Sequence, residues 1–348
     1  MKDKEILETL LIPLKLQNKN IKNIKIPNDP QLLKLKEEFK EKLLEKLNKK
    51  PAKLFKIITS TPIPYTIIPR KIRDKLLRTK TEKQSTHRLE LEEIRQKILE
   101  KIIRENNITT VDNRRICVIT HDIDTEKGLK RALRLKKIEE KYEVESTWFI
   151  PTQQYKLGKK IVKRLSENSE IASHSTKHDG KLILLRKNKK VERLRQSKAE
   201  LEEIIEREVV GFRTPLLQHN LEIIEAVKEA GYKYDSSTPT WEPLHPTTMK
   251  PNGIQLTNPL KINGIIEVPV TLPQDHQMLH ILKLTPKQTI KQWIKLMKQI
   301  IKLRGISVFL IHPEYGFANR EYLEDYQKLI KTMKEMKTIT LNNLLKYI

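Results

Sequence analysis

At 348 residues the chain has room for one large domain with an extension, or for two domains, and 32% charged residues beside plentiful aliphatics exclude a disordered polymer. No apolar run is long enough to cross a bilayer. A single cysteine, Cys117, excludes both an intrachain disulfide and a cysteine-built zinc site. The net charge of +25 raises nucleic-acid binding as a class, but lysine is spread along the chain and interleaved with glutamate, as on solvated helix faces, so no specific nucleic acid is expected.

Residues 1–112 hold 27 Lys+Arg against 16 Asp+Glu, which is +11 of the +25. The opening MKDKEILETLLIPLKL places acids before a short apolar stretch and lacks a small-residue cleavage site, so a cytoplasmic protein is expected, peripheral to the inner membrane surface at most. LLKLKEEFKEKLLEKLNKK (32–50) and RLELEEIRQKILEKIIREN (88–106) repeat leucine and isoleucine at helical spacing with Glu–Lys pairs between. Between them, the prolines of TPIPYTIIPRKIRDKLLR (61–78) predict an extended segment followed by a short basic helix. The spacing therefore predicts a helical, basic N-terminal extension over 1–112.

From residue 113 the rhythm changes. Short apolar runs at 116–120, 146–150, 170–174, 209–213, 264–271 and 306–313 predict strands. Amphipathic stretches at 129–142, 156–168, 191–208 and 221–232 predict helices, the last closed by Gly231. Alternation of this kind predicts an α/β domain over 113–348 with a parallel sheet, open or closed into a barrel, and polar chemistry at the C-terminal strand ends. Polar groups do fall at these ends: His121, Asp122 and Asp124, then His174, Arg213 and His312. Cys117, inside an apolar run, reads as core.

Asp122 and Asp124, two apart at a strand end, project to one side. His174 and His178, four apart in HSTKH, can reach one ion from a helical turn or a tight loop. Two imidazoles and a carboxylate suit Zn²⁺ or another first-row divalent ion and leave positions for water and substrate. Each motif alone carries little weight, since carboxylates commonly cap turns and an HxxxH pair arises by chance in a soluble chain. Their succession after separate strands is what points to a hydrolytic site.

In order along the chain, THDID (120–124), HSTKH (174–178), GFRTP (211–215), YDSS (234–237) and FLIHP (309–313) resemble the five motifs of the NodB-homology polysaccharide deacetylases, carbohydrate esterase family 4. HDIDT (121–125) and VPVTLPQDH (268–276) are most similar to a branch whose first motif is His-Asp-Val-Asp-Thr and which also has a proline-rich basic segment upstream. The resemblance implies a distorted (β/α) barrel and removal of N-acetyl groups from an amino-sugar glycan or its precursor. It implies one divalent metal, zinc before cobalt, nickel, iron or manganese, on Asp124, His174 and His178. Asp122 would be the base and His312 the acid, with Arg213 tuning Asp122 and Asp235 tuning His312. The roles of base and metal ligand are exchangeable between Asp122 and Asp124, because Ile123 intervenes where the commonest motif has adjacent aspartates. Pro215, Leu216, Asp275 and His276 are expected to line the substrate mouth. Two rival expectations are hydrolysis of another non-peptide C–N bond, in a linear or cyclic amide, and metal or polyanion binding without turnover. The basic extension is expected to give weak association with an anionic membrane surface or glycan.

Overall fold

A computed structural model describes residues 2–17, 24–60, 89–108, 115–245, 247, 248 and 250–348. The proline-interrupted segment 61–78, with its expected basic helix, lies outside the described residues.

The leucine periodicity of the extension resolves into helices α1 (Asp3–Gln17), α2 (Pro30–Leu47), α3 (Lys53–Ser60) and α4 (Glu90–Glu105). Asp29 starts α2 by accepting the Gln31 N–H, with Pro30 at the first helical position, where its missing N–H costs nothing. The second half supplies parallel strands β1 (Ile116–Asp122), β2 (Ser146–Ile150), β3 (Glu170–Ser173), β4 (Gly211–Phe212) and β5 (Tyr234–Asp235), with helices α5 (Glu126–Lys141), α6 (Lys159–Ser166), α7 (Lys187–Ile205) and α8 (Leu221–Glu229) between them. As the sequence suggests, Gly231 follows α8 with φ +88°, a left-handed turn that glycine adopts without strain.

Beyond β5 the chain adds hairpins that the periodicity did not single out. β6 (Glu242–His245) pairs antiparallel with β7 (Lys250–Asn252). β8 (Leu260–Ile262) turns through Asn263 and Gly264, both at positive φ, into β9 (Ile265–Glu267). Only the first part of the 264–271 run is therefore strand. Helix α9 (Pro286–Lys302), β10 (Ser307–Ile311), α10 (Leu323–Met333), β11 (Lys337–Thr338) and α11 (Leu341–Leu345) complete the chain.

The main sheet runs β10-β1-β2-β3-β4-β5-β9-β8, parallel except at β8, with β11 beside β1. Between β9 and β10 the residues after β9 close the curl: Leu272 donates its N–H to the Val308 carbonyl at 3.2 Å, and the Val308 N–H reaches Thr271 Oγ1 at 2.7 Å. The result is the distorted (β/α) barrel. Strand alternation gives it two cores. Ile116, Val118, Phe149, Ala172, Tyr234, Val268 and Val308 fill the interior, whereas Cys117, Ile119, Trp148, Ile171, Phe212 and Phe309 meet the surrounding helices.

The extension is built into this barrel. Ile12 and Leu16 of α1 join the interior cluster together with Leu341 and Leu344, and each such burial contributes roughly 1.5–3 kcal/mol. Thr9 exchanges hydrogen bonds with the Lys261 backbone, covering the open edge of β8. Glu92 and Arg95 of α4 form a fully buried ion pair, and Glu92 also accepts from the N–H and hydroxyl of Thr257, each at 2.9 Å.

Candidate metal centre and catalytic site

Inward-facing residues of β1 end in Thr120 and Asp122, and the chain then bends through Ile123 to Asp124. The HSTKH segment follows β3 as a tight loop rather than a helical turn. Ser175 adopts φ +66°, while the Ser175 and Thr176 carbonyls accept from the N–H groups of Thr152 and Gln153. Arg193 of α7 braces the loop through Ser175 Oγ and a bidentate pair with Asp179.

This framework brings Asp124, His174 and His178 together. His174 Nε2 stands 3.4 Å from Asp124 Oδ1, and His178 Nε2 stands 3.5 Å from Asp124 Oδ2. Their nearest donor atoms all lie within 4.8 Å of one another. Ligand atoms about 2.0–2.2 Å from a tetrahedral ion stand about 3.3–3.6 Å apart, which is the spacing of the two His–Asp124 pairs. His174 Nδ1 lies 2.8 Å from the Arg213 carbonyl, so it carries the proton and leaves Nε2 with its lone pair toward Asp124. Asp124 Oδ1 and His174 Nε2 are both buried without a hydrogen-bond partner among the described residues. Buried polar atoms are rarely left so, and an ion between them satisfies both. Burial lowers the His178 pKa below the usual imidazole value, although Asp124 opposes the shift, which favours the neutral imidazole.

Asp122 sits beside this group, 3% exposed, with Oδ2 3.7 Å from His174 Nε2. Its Oδ1 accepts from Arg213 Nη1 at 2.8 Å. The Arg213 guanidinium is fully buried. It donates also to Thr120 Oγ1, the Ser236 carbonyl and Ser236 Oγ, each at 2.8 Å, and lies 4.1 Å over the Phe149 ring. The planar fork is fixed on every side, so it holds one Asp122 oxygen and leaves the other toward the metal group.

His312 closes the opposite side, with Nε2 3.8 Å from Asp124 Oδ2. Its partner is Asp275 and not Asp235. Asp275 Oδ1 lies 2.7 Å from His312 Nδ1, and Asp275 Oδ2 accepts the His312 backbone N–H at 2.9 Å. Burial disfavours the imidazolium, but the Asp275 carboxylate outweighs it, with help from Asp124 and Asp122, and the pKa rises to about 10. Alternation explains the exchange of aspartates. Tyr234 packs in the interior and Ser236 contacts Arg213, so Asp235 between them points outward. There its Oδ1 accepts from Ser237 beside Glu267, whose own Oε1 is held by the N–H and hydroxyl of Thr238. Burial raises the pKa of both Asp235 and Glu267, and the Glu267 charge raises Asp235 further, so this pair is held with at least one proton. Asp275 is supplied instead by the segment that climbs from β9 alongside β10.

Two further expectations change. His121 does not join the mouth. It points outward, stacks on Trp148 at 3.9 Å, and bridges Glu139 and the Ile311 carbonyl. Asp275 is fully buried with both oxygens on His312, so it does not line a substrate surface. His276 is half-buried at the start of a π-helical turn (His276–Ile281), 5.0 Å from the Tyr315 ring, which lies 4.9 Å from His312. Pro215 is buried, and Leu216 and Leu217 follow it with φ +61° and +49°, a strained pair for side chains with a Cβ. The Leu217 carbonyl is tied by His219 and His245, at 2.9 and 3.0 Å. Sequence reasoning missed Glu314, two residues after His312, whose Oε1 accepts the Asp124 N–H at 3.1 Å.

The polysaccharide deacetylase family matches residues 111–234, which include the first three motifs and the start of the fourth. The first half of the barrel is therefore similar in sequence to the polysaccharide deacetylases, as the motifs imply. No curated protein matches the chain in sequence. Among solved structures, one from Mycobacterium smegmatis assigned to the polysaccharide deacetylases shares 17% identity and a TM-score of 0.57 over 69% of this chain and 92% of its own. The Puue allantoinase shares 14% identity and a TM-score of 0.52 over 68% of this chain and 90% of its own. At such identities the likeness is one of fold.

Proposed function

We propose that this chain is a metal-dependent hydrolase that removes N-acetyl groups from an amino-sugar glycan or glycan precursor, with zinc as the favoured metal. The observation that carries the reading is the convergence of three units at one barrel mouth: the Asp124–His174–His178 group, the Asp122–Arg213 pair and the Asp275–His312 pair. Asp124, His174 and His178 would hold the ion, and when bound it polarises the amide carbonyl and acidifies water. Asp122, its orientation set by Arg213, takes the proton of the attacking water. His312, held protonated by Asp275, donates from Nε2 to the departing nitrogen as the C–N bond breaks, so acetate and the free amine leave. We assign Pro215 and Leu216 to the substrate mouth, and His276, beside Tyr315, to its rim near the acid.

A second reading keeps this chemistry and changes the substrate to another linear or cyclic amide; an allantoinase with the same fold supports it. A binder without turnover has no use for a protonated histidine and an arginine-held carboxylate at the same mouth. Among the described residues no helix is long and apolar enough to cross a membrane. We assign the lysine-rich extension a weak affinity for anionic glycan or membrane surfaces, and the chain a cytoplasmic place. The direct test is acetate release from N-acetylglucosamine oligomers beside a panel of linear and cyclic amides, before and after chelation and metal add-back. Chelator-sensitive release from the sugars supports the proposal, and turnover of the amides alone selects the second reading.

A further inference from the structure

Ile123 separates the two aspartates, so the ligand Asp124 hangs on an extra peptide beyond β1, and both faces of that peptide are held. Tyr155 Oη donates to the Ile123 carbonyl at 2.8 Å. The Ile123 N–H donates to the Phe149 carbonyl at 3.0 Å, and the Ile123 side chain is fully buried. The Asp124 N–H donates to Glu314 Oε1 at 3.1 Å. Glu314 is itself buried, 8% exposed, and its Oε2 has no hydrogen-bond partner among the described residues. Its presence there depends on a glycine. A Cβ on Gly128, in the first turn of α5, would collide with Glu314 Oε2 and lie 3.1 Å from its Cδ. Gly128 has ordinary helical backbone, so helix geometry does not require glycine; the Glu314 carboxylate does.

From this we infer that Glu314 is a positioning residue for the metal ligand Asp124: its carboxylate, admitted by the bare Gly128, holds the N–H of the Ile123–Asp124 peptide while Tyr155 holds the carbonyl of the same peptide. The inference rests on the metal-centre reading proposed above. Glu314 lies two residues after His312 on one short turn, closed by the Tyr315 N–H on the His312 carbonyl. The acid and the anchor of the ligand therefore move together, and the spacing between His312 and Asp124 is set within one piece of backbone. Neighbours that orient metal ligands typically change metal affinity by about 10–100-fold when removed.

The test is zinc titration of the full-length, chelator-stripped protein by competition with a chromophoric chelator. Glu314→Leu, which leaves the Asp124 N–H without an acceptor, should weaken zinc binding by about 10–100-fold. Glu314→Gln keeps an oxygen at the same place and should bind within a few-fold of the wild type. Gly128→Ala separates positioning from general stability. Alanine is the better helix former, so the metal-free variant should melt within a few degrees of the wild type. Its methyl group displaces the Glu314 carboxylate, however, so zinc binding should fall as it does in Glu314→Leu. Wild-type affinity in Glu314→Leu and Gly128→Ala, or equal loss in Glu314→Gln and Glu314→Leu, would overturn the inference. A wild-type protein that binds no zinc would overturn the metal-centre reading beneath it.

Discussion

Replacing Arg213 by methionine isolates what the buried guanidinium does for Asp122. Methionine fills similar volume without charge, so the cost falls on the groups that Arg213 leaves behind. Thr120 Oγ1 still donates to the Phe309 carbonyl, and Ser236 Oγ still donates to the Val268 carbonyl, so neither hydroxyl loses its own outlet. Asp122 loses its 2.8 Å hydrogen-bond donor; among the described residues His174 Nε2 stands near at 3.7 Å, and the more distant His312 supplies the remaining attraction. Removing one member of a buried ion pair costs about 3–5 kcal/mol, and the Ser236 carbonyl, without the Arg213 Nε donor, adds about 1 kcal/mol. Asp122→Asn keeps the hydrogen bond but leaves the buried Arg213 charge with neutral acceptors only, so it should cost about 3 kcal/mol. In the double variant the stranded charge is absent, so the two effects should fall short of additivity by about 2 kcal/mol. Urea unfolding of the metal-free, full-length single and double variants measures this directly. Additivity within about 0.5 kcal/mol would refute the claim that Arg213 is there to hold the Asp122 carboxylate.

The exchange of aspartates gives a second prediction: Asp275→Asn should lower acetate release by about 10²-fold or more, while Asp235→Asn leaves it within a few-fold. Third, burial raises Glu242 to about pKa 8, opposed by the Gln277 amide. Below pH 4.5 both folded and unfolded chains are protonated there. Above it the unfolded chain ionises first, so this group draws stability down until the pH passes about 8. Glu242→Gln should flatten that decline and raise the melting temperature at pH 8 more than at pH 5; an equal change at both would exclude it. Fourth, Arg95→Met should destabilise the whole barrel by about 3–5 kcal/mol in a single unfolding transition, because Glu92 is left buried between α4 and Thr257. A separate early transition with the barrel unchanged would show that the extension is an independent unit.

The barrel was readable because its strands are buried on both sides and appear as uninterrupted apolar runs, with ICVIT and STWFI falling on β1 and β2. The hairpins were harder. Asn263–Gly264 is a strong two-residue turn signal, yet the apolar run begins only at 264, so the short β8 before the turn was not seen. Asp122, His174 and Arg213 were found because each stands at or directly after a strand end, and Asp124 and His178 because their spacing from Asp122 and His174 suits a shared ion. Asp235 misled for a reason of parity: a motif aspartate beside inward Ser236 has to point out. His121 failed the same test. Asp275 and Glu314 belong to loops, where no period tells which residue will face the site. The contribution of Ile12 and Leu16 to the barrel interior was invisible for another reason. Helical periodicity shows that a face is apolar but not what it covers.

The central claim, that one metal ion on Asp124, His174 and His178 underlies the reaction, is tested most directly by elemental analysis of metal-reconstituted protein. The wild type and Asp122→Asn should each retain one divalent ion per chain, whereas Asp124→Ala and His174→Ala should retain little under the same dialysis. An ion retained equally by all four proteins, or by none, would contradict it.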